Sequence, residues 1–303
     1  MNDDLIAGQI TDTLYMLHPV LRRKGLTERI RDKGATTETE WTAKNEIGAQ
    51  DTLGREQTMK IEKKQDNKAD PEMMDECKNP TKSVFDNVET IAEIMGKAEN
   101  MLGIALDKSL YYVKKEFLTI SMRSIENAIV EFPSLKEHIK GIAMKDSEKG
   151  AYASTDFLRS TITLNTYYYH RNNHERYTDS LNEHLGSRWF AVPTVKGTMY
   201  HEIGHVLHRM YMEKLYPDSL RMQFSESNNI AEEIVAEAAE QVSRLPGYKG
   251  IREEEIREDL SGYARTRFKE TVAEAVSDYL ENGKKAKPIS IKIVDKIREM
   301  VSQ

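Results

Sequence analysis

Cysteine is nearly absent from this chain. Cys77 is the only one in 303 residues, so no internal disulfide can form and a cysteine-based zinc site is excluded. Long apolar runs are missing too. None approaches the roughly 20 residues that a membrane-spanning helix needs, so no membrane span is expected. There is no basic block: 44 Lys and Arg against 50 Asp and Glu leave a net charge of −6 and a pI near 5.9. That balance argues against a nucleic-acid surface. Hydrophobic residues make up only 39% of the chain and charged residues 31%, so part of it is expected to stay outside any core. The start, Met1-Asn2-Asp3-Asp4, is acidic where a secretory signal is basic and then apolar. The expected compartment is therefore the cytoplasm.

The weakly apolar part can be located. Residues 3–24 have the apolar spacing of one helix, through Leu5, Ile6, Ile10, Leu14, Met16 and Leu17. Residues 30–82 then turn polar and charged, with Lys63-Lys64-Gln65-Asp66-Asn67-Lys68 ahead of Pro71 and Pro80. Too little apolar surface is available there to offset the entropy of ordering. The expected organisation is a helix plus polar arm over 1–83 and one domain over 84–303. Within that domain, helices are expected over 87–103, 109–131, 134–140, 226–244, 251–260, 266–283 and 290–301. Short strands are expected at Gly141–Met144, Ala151–Ser154 and Ser160–Asn165. This is an α+β, mainly helical class with a small mixed β-sheet.

What the chain does have is His201-Glu202-Ile203-Gly204-His205, an H-E-x-x-H pattern in a helical segment. Residues four apart stack on one face of a helix, so both imidazoles can grip one metal ion. A glutamate just after the first histidine is placed to take a proton from water at that metal. With 8 histidines in the chain, a chance match is a roughly few-in-a-hundred event, so its setting matters. Val195, Met199, Ile203, Val206 and Met210 cluster on one side of the helix, roughly opposite His201 and His205. Thr194, after Pro193, is placed as the N-cap. Two imidazoles plus a carboxylate suit one zinc ion with an open position, the makeup of a catalytic site.

A third protein ligand must come from elsewhere, and two segments look alike: Glu233-Ile234-Val235-Ala236-Glu237-Ala238 and Glu270-Thr271-Val272-Ala273-Glu274-Ala275. In both, the first glutamate points away from the main apolar stripe. Helical periodicity does not choose between a ligand face and a solvated one. Other histidines carry less. His170-Arg171-Asn172-Asn173-His174 reads as a polar loop, His208 as a wall or substrate contact, and His18, His138 and His184 have no visible partners.

The run Tyr263-Ala264-Arg265-Thr266-Arg267-Phe268-Lys269-Glu270-Thr271-Val272-Ala273-Glu274-Ala275 resembles the third-ligand region of anthrax lethal factor-type metallopeptidases. It also resembles a related group encoded by phages and mobile elements. In that family a tyrosine stands seven residues before the liganding glutamate, with Ala-Glu-Ala just after it. The likeness covers roughly 150–300. It implies a zincin (gluzincin-type) fold, Glu270 as the third zinc ligand, Tyr263 as a hydroxyl near the reacting carbonyl, and Glu274 as a carboxylate orienting a liganding histidine. A rival alignment within the same clan is similar to thermolysin-like enzymes. It reads Glu274-Ala275-Val276-Ser277-Asp278 as E-x-x-x-D, with Glu274 as ligand and Asp278 behind it. The separation from His205 to Glu270 is longer than the lethal-factor pattern leads one to expect.

The function implied is zinc-dependent hydrolysis of a protein or peptide substrate, with Glu202 as general base. In peptidases of this clan an exposed edge strand before the metal helix holds the substrate extended, and Thr161-Ile162-Thr163-Leu164-Asn165 is the candidate, against an ordinary sheet strand. Tyr167-Tyr168-Tyr169 is either a recognition surface or a cap on the core. The resemblance also raises signal-less export or association with a phage particle. An alternative from another class is a phage or mobile-element structural or effector protein. It would use the same fold as a binding module, with partners docking through the N-terminal arm. The intact Glu202 favours an enzyme.

Overall fold

The computed structural model describes residues 82–146 and 150–301. The helix expected over 3–24 and the polar arm as far as 81 lie outside the described residues, as do His18 and Cys77. Ser83, assigned to the arm by its sequence, already belongs to the folded body. Its N–H donates to Asp86 at 3.1 Å, next to the fully buried Phe85.

Helix α1 (Ile91–Lys97) begins at a capping box in which Thr90 and Glu93 satisfy each other's backbone N–H groups. It runs into one π-helical turn, Ala98–Leu102, closed by Gly103 at φ 72°. The single helix expected over 87–103 is thus shorter and bipartite. Strand β1 (Ala105–Leu106) and a 3-10 turn (Lys108–Tyr112) precede α2 (Lys115–Glu131), which starts later than expected. It buries Phe117, Leu118, Met122, Ile125 and Ala128 at helical spacing. It ends before Phe132-Pro133, and the helix expected over 134–140 is only a 3-10 turn, Pro133–Glu137.

Strands β2 (Gly141–Lys145), β3 (Ala153–Asp156) and β4 (Thr161–Asn165) complete a sheet of order β1-β2-β4-β3. The first three in that order run parallel, and β3 pairs antiparallel with β4 from Ala153↔Leu164 to Asp156↔Thr161. This corrects one expectation. The candidate edge strand 161–165 lies inside the sheet, paired on both sides, and the edge strand beside it is β3. Interior placement also explains the fully buried Ile162 and Leu164.

The remaining elements are helical: α3 (Thr166–Tyr169), α4 (His174–Leu185), α5 (Val195–Leu215), α6 (Leu220–Ser225), α7 (Ser227–Ser243), α8 (Glu253–Leu260), α9 (Phe268–Asn282) and α10 (Pro288–Val301). The chain is therefore mainly helical with a small mixed four-stranded sheet, an α+β architecture. No helix among the described residues is long and apolar enough to cross a membrane. Helix α4 replaces part of the polar loop expected at 170–174. Its anchors are only Tyr177, Leu181 and His184, too sparse to read as a stripe. Tyr168 and Tyr169 are buried, and Tyr169 shares a hydroxyl contact of 3.0 Å with Tyr177. The tyrosine run therefore belongs chiefly to the core.

Helix α5 is the centre of the body, packed against α2, α9, α10 and β3. Thr194 caps it, its hydroxyl accepting from Gly197 N–H at 2.9 Å. The helix is buried nearly all round rather than on one face. Tyr200, Leu207, Tyr211 and Met212 are covered along with the expected stripe. Close approach of α9 explains part of this. A Cβ placed on Gly204 would stand 2.6 Å from Ala273 Cα and 3.1 Å from Ala273 O, so only glycine allows the two backbones to meet here. Gly204→Ala should lower stability by about 1–3 kcal/mol, the usual cost of overpacking. It should also push Glu270 and Glu274, which α9 carries, away from α5. A melting temperature equal to wild type would show that the helices part freely.

Candidate metal centre

Helix α5 presents His201 and His205 one turn apart, and α9 presents Glu270 in its first turn. Their donor atoms converge. His201 Nε2 lies 3.2 Å from His205 Nε2 and 3.1 Å from Glu270 Oε2, and His205 Nε2 lies 3.5 Å from the same oxygen. Two ligands of a tetrahedral zinc ion with bonds of 2.0–2.1 Å stand roughly 3.3 Å apart. The three observed separations scatter around that value. Glu270 Oε2 is buried and has no hydrogen-bond partner, an arrangement that costs free energy unless a cation meets the oxygen. Among the described residues this is the one cluster of three or more such side chains able to hold a metal. On donor chemistry and spacing the residues fit a zinc ion.

Glu274 occupies a different place, one turn further along α9. Its Oε1 lies 2.8 Å from His201 Nδ1, while Oε2 accepts from Ala191 N–H at 2.6 Å and from the Ser261 hydroxyl at 2.9 Å. A carboxylate at Nδ1 calls for a proton there and turns Nε2 toward Glu270 and His205. Ser261 is completely buried and had no signal in the sequence. Its oxygen also takes Ala264 N–H at 2.9 Å, so it holds both Glu274 and the turn that carries Tyr263. That turn is fixed on its other side by Gly262 N–H to Arg188 O and Tyr263 N–H to Trp189 O, at 2.9 and 2.8 Å.

The electrostatics follow from this packing. Burial opposes a charge on His201, but the adjacent Glu270 and Glu274 carboxylates outweigh it and hold the imidazole well above the usual histidine range. Burial likewise opposes ionisation of Glu270, and His205 and His201 overcome it, keeping the carboxyl well below its ordinary value. Tyr263 is 3% exposed, its ring centroid 5.7 Å from that of His201. Burial first, then the Glu270 and Glu274 carboxylates, push its pKa far up, so its hydroxyl stays a donor.

Glu202 is buried beside the two histidines, and Thr155 of β3 donates to its Oε2 at 2.7 Å. A cleft opens at Glu202, His201 and Glu274, with Tyr152, Ala153, Leu181, Phe190, Val192 and Pro193 among its walls. The site thus joins a carboxylate able to take a proton, a hydroxyl able to give a hydrogen bond, and an apolar cleft.

The other candidates lie elsewhere. Glu233 is exposed on α7. Asp278, the partner in the thermolysin-like alignment, accepts from Ser290, Lys287 N–H and Asn282, each at 2.7 Å, and ties α9 to the start of α10. His208 is buried, with Nε2 unpartnered, and burial together with Lys269 and His205 pushes its pKa down to about 3. It is a neutral packing residue rather than an exposed wall. His138 meets Glu213 at 3.0 Å, and His184 packs edge-on to Phe190. His170 stacks on Tyr112, and His174 opens α4. Compared with family models, with curated proteins and with solved structures, the chain matches none.

Proposed function

We propose that this chain is a zinc-dependent peptidase of the zincin type, with His201, His205 and Glu270 as the metal ligands. The observation that carries this reading is the convergence of His201 Nε2, His205 Nε2 and the unpartnered Glu270 Oε2 at 3.1–3.5 Å, with Glu202 on the same helix. A zinc ion bound there would supply a Lewis acid that lowers the pKa of water toward neutrality and polarises a carbonyl oxygen. Glu202 takes a proton from the attacking water and returns it to the amine that leaves, so the base ends the cycle as it began. Tyr263, held protonated, donates a hydrogen bond as negative charge develops on the carbonyl oxygen. Glu274 keeps His201 in the tautomer and orientation that ligation needs.

The sheet supports a place for the substrate in this reading. Strand β3 has no neighbour on its outer side among the described residues, so its free backbone groups suit an extended peptide by strand addition. The neighbouring apolar walls suit an apolar side chain of that peptide. A direct test is the zinc content of the purified protein together with cleavage of a proteome-derived peptide library, read by mass spectrometry. One zinc per chain, cleavage stopped by 1,10-phenanthroline and cleavage restored by added zinc are expected. Cleavage indifferent to the chelator, or no bound zinc, would overturn the reading. Zinc bound without any cleavage would favour a binding module built on the same fold.

A further inference from the structure

Glu202 is buried at 2% exposure, and among the described residues one side-chain hydrogen bond reaches its carboxylate, from Thr155 Oγ1 at 2.7 Å. The same hydroxyl lies 3.1 Å from the Glu202 carbonyl oxygen. It has a single proton to give. The shorter contact is to an anionic acceptor, where a hydrogen bond is about twice as strong as to a neutral one, so the carboxylate takes it. Thr155 belongs to β3, the edge strand, paired with Ile162 of β4. Its side chain points toward α5, as does that of Ala153 two residues earlier, which lines the cleft with Glu202, while Ser154 between them is exposed.

We propose that Thr155 is a positioning residue that holds the Glu202 carboxylate at the reacting centre from the strand that also receives the substrate. This rests on the peptidase reading given above. The physical reason is geometric. A glutamate side chain has three rotatable bonds, and α5 fixes only its Cα. Glu202 lines the adjoining cleft, so its carboxylate is not packed on every side, and a displacement of about 1 Å at a reacting group can cost roughly a hundredfold in rate. Because the anchor sits on β3, any shift of that strand on peptide binding moves the base with it. Edge strand and base therefore act as one unit.

Thr155→Val keeps the shape and strand preference of the residue and removes the hydroxyl, whereas Thr155→Ser keeps the hydroxyl. On the peptide that the wild-type enzyme cleaves fastest, Thr155→Val should lower kcat by roughly ten- to hundredfold, with KM, zinc content and melting temperature unchanged. Thr155→Ser should recover most of the rate. Crystal structures of the zinc-loaded variants should show the Glu202 carboxylate displaced in Thr155→Val and in place in Thr155→Ser. Unchanged kcat in Thr155→Val, or a carboxylate that has not moved, overturns the proposal. A fall in kcat matched by a fall in melting temperature and not rescued by serine also overturns it, since that pattern belongs to a strand-to-helix tether. If the wild-type protein cleaves nothing, the peptidase reading fails separately, and the position of Glu202 in the two crystal structures still decides the role of Thr155.

Discussion

Glu270→Gln is expected to strip the chain of most of its zinc affinity, and to do so more severely than Glu274→Gln. The amide is nearly isosteric, so the fold should survive, but it replaces a buried anionic donor with a neutral one. Glu270 Oε2 has no hydrogen bond to lose; its surroundings are the two imidazole nitrogens at 3.1 and 3.5 Å. Glu274 is already committed to His201, Ala191 and Ser261. Its amide would set an NH2 group against the Ala191 N–H donor or against His201 Nδ1, loosening the imidazole without removing a ligand. Partners of that kind typically cost ten- to hundredfold in metal affinity, and Glu270→Gln should exceed this. Zinc competition titrations on the two variants check the order. The thermolysin-like alignment requires the reverse order and a matching sensitivity at Asp278. A loss seen only with Glu233→Gln would remove α9 from the metal site altogether.

Glu202→Gln is expected to separate chemistry from metal binding. General-base catalysis contributes typically 10²–10⁴-fold, and hydrolysis should fall by at least that much while zinc stays at wild-type stoichiometry. The amide can still accept the Thr155 hydrogen bond, so side-chain placement is preserved and only proton transfer is lost. His201→Ala and His205→Ala should instead lose zinc and activity together, because each removes a ligand. Metal analysis beside single-turnover peptide cleavage distinguishes the two patterns. Loss of zinc from Glu202→Gln, or turnover retained, would show that Glu202 does not act as the base.

The parts of this site legible in the sequence are those set by local geometry. His201, Glu202 and His205 lie within five residues of one helix, so their spacing alone brings both imidazoles to one face. Thr194 and Pro193 mark its start for the same local reason. Most downstream helices were legible too, since α9 and α10 carry clear apolar periods. The carboxylate that completes the cluster was not. The Glu233 and Glu270 segments have nearly the same pattern, and what separates them is that α7 turns Glu233 to solvent while α9 lies against α5 at Gly204. Only a resemblance pointed to Glu270 in advance.

Ser261 and Thr155 were invisible because a single hydroxyl has no periodicity. Their partners lie 13 and 47 positions away in the chain, and packing alone brings them together. The sheet shows the same limit. Alternation identified 161–165 as a strand, yet which strand stands at the edge depends on pairings between segments distant in sequence, and these placed β3 outside β4. The sequence by itself thus determined two imidazoles and a carboxylate on one helix, because one turn of helix is a local geometry. The tertiary structure decided which carboxylate faces them, which hydroxyl meets the Glu202 carboxylate and which strand edge is open, because burial and pairing are properties of the whole packed chain.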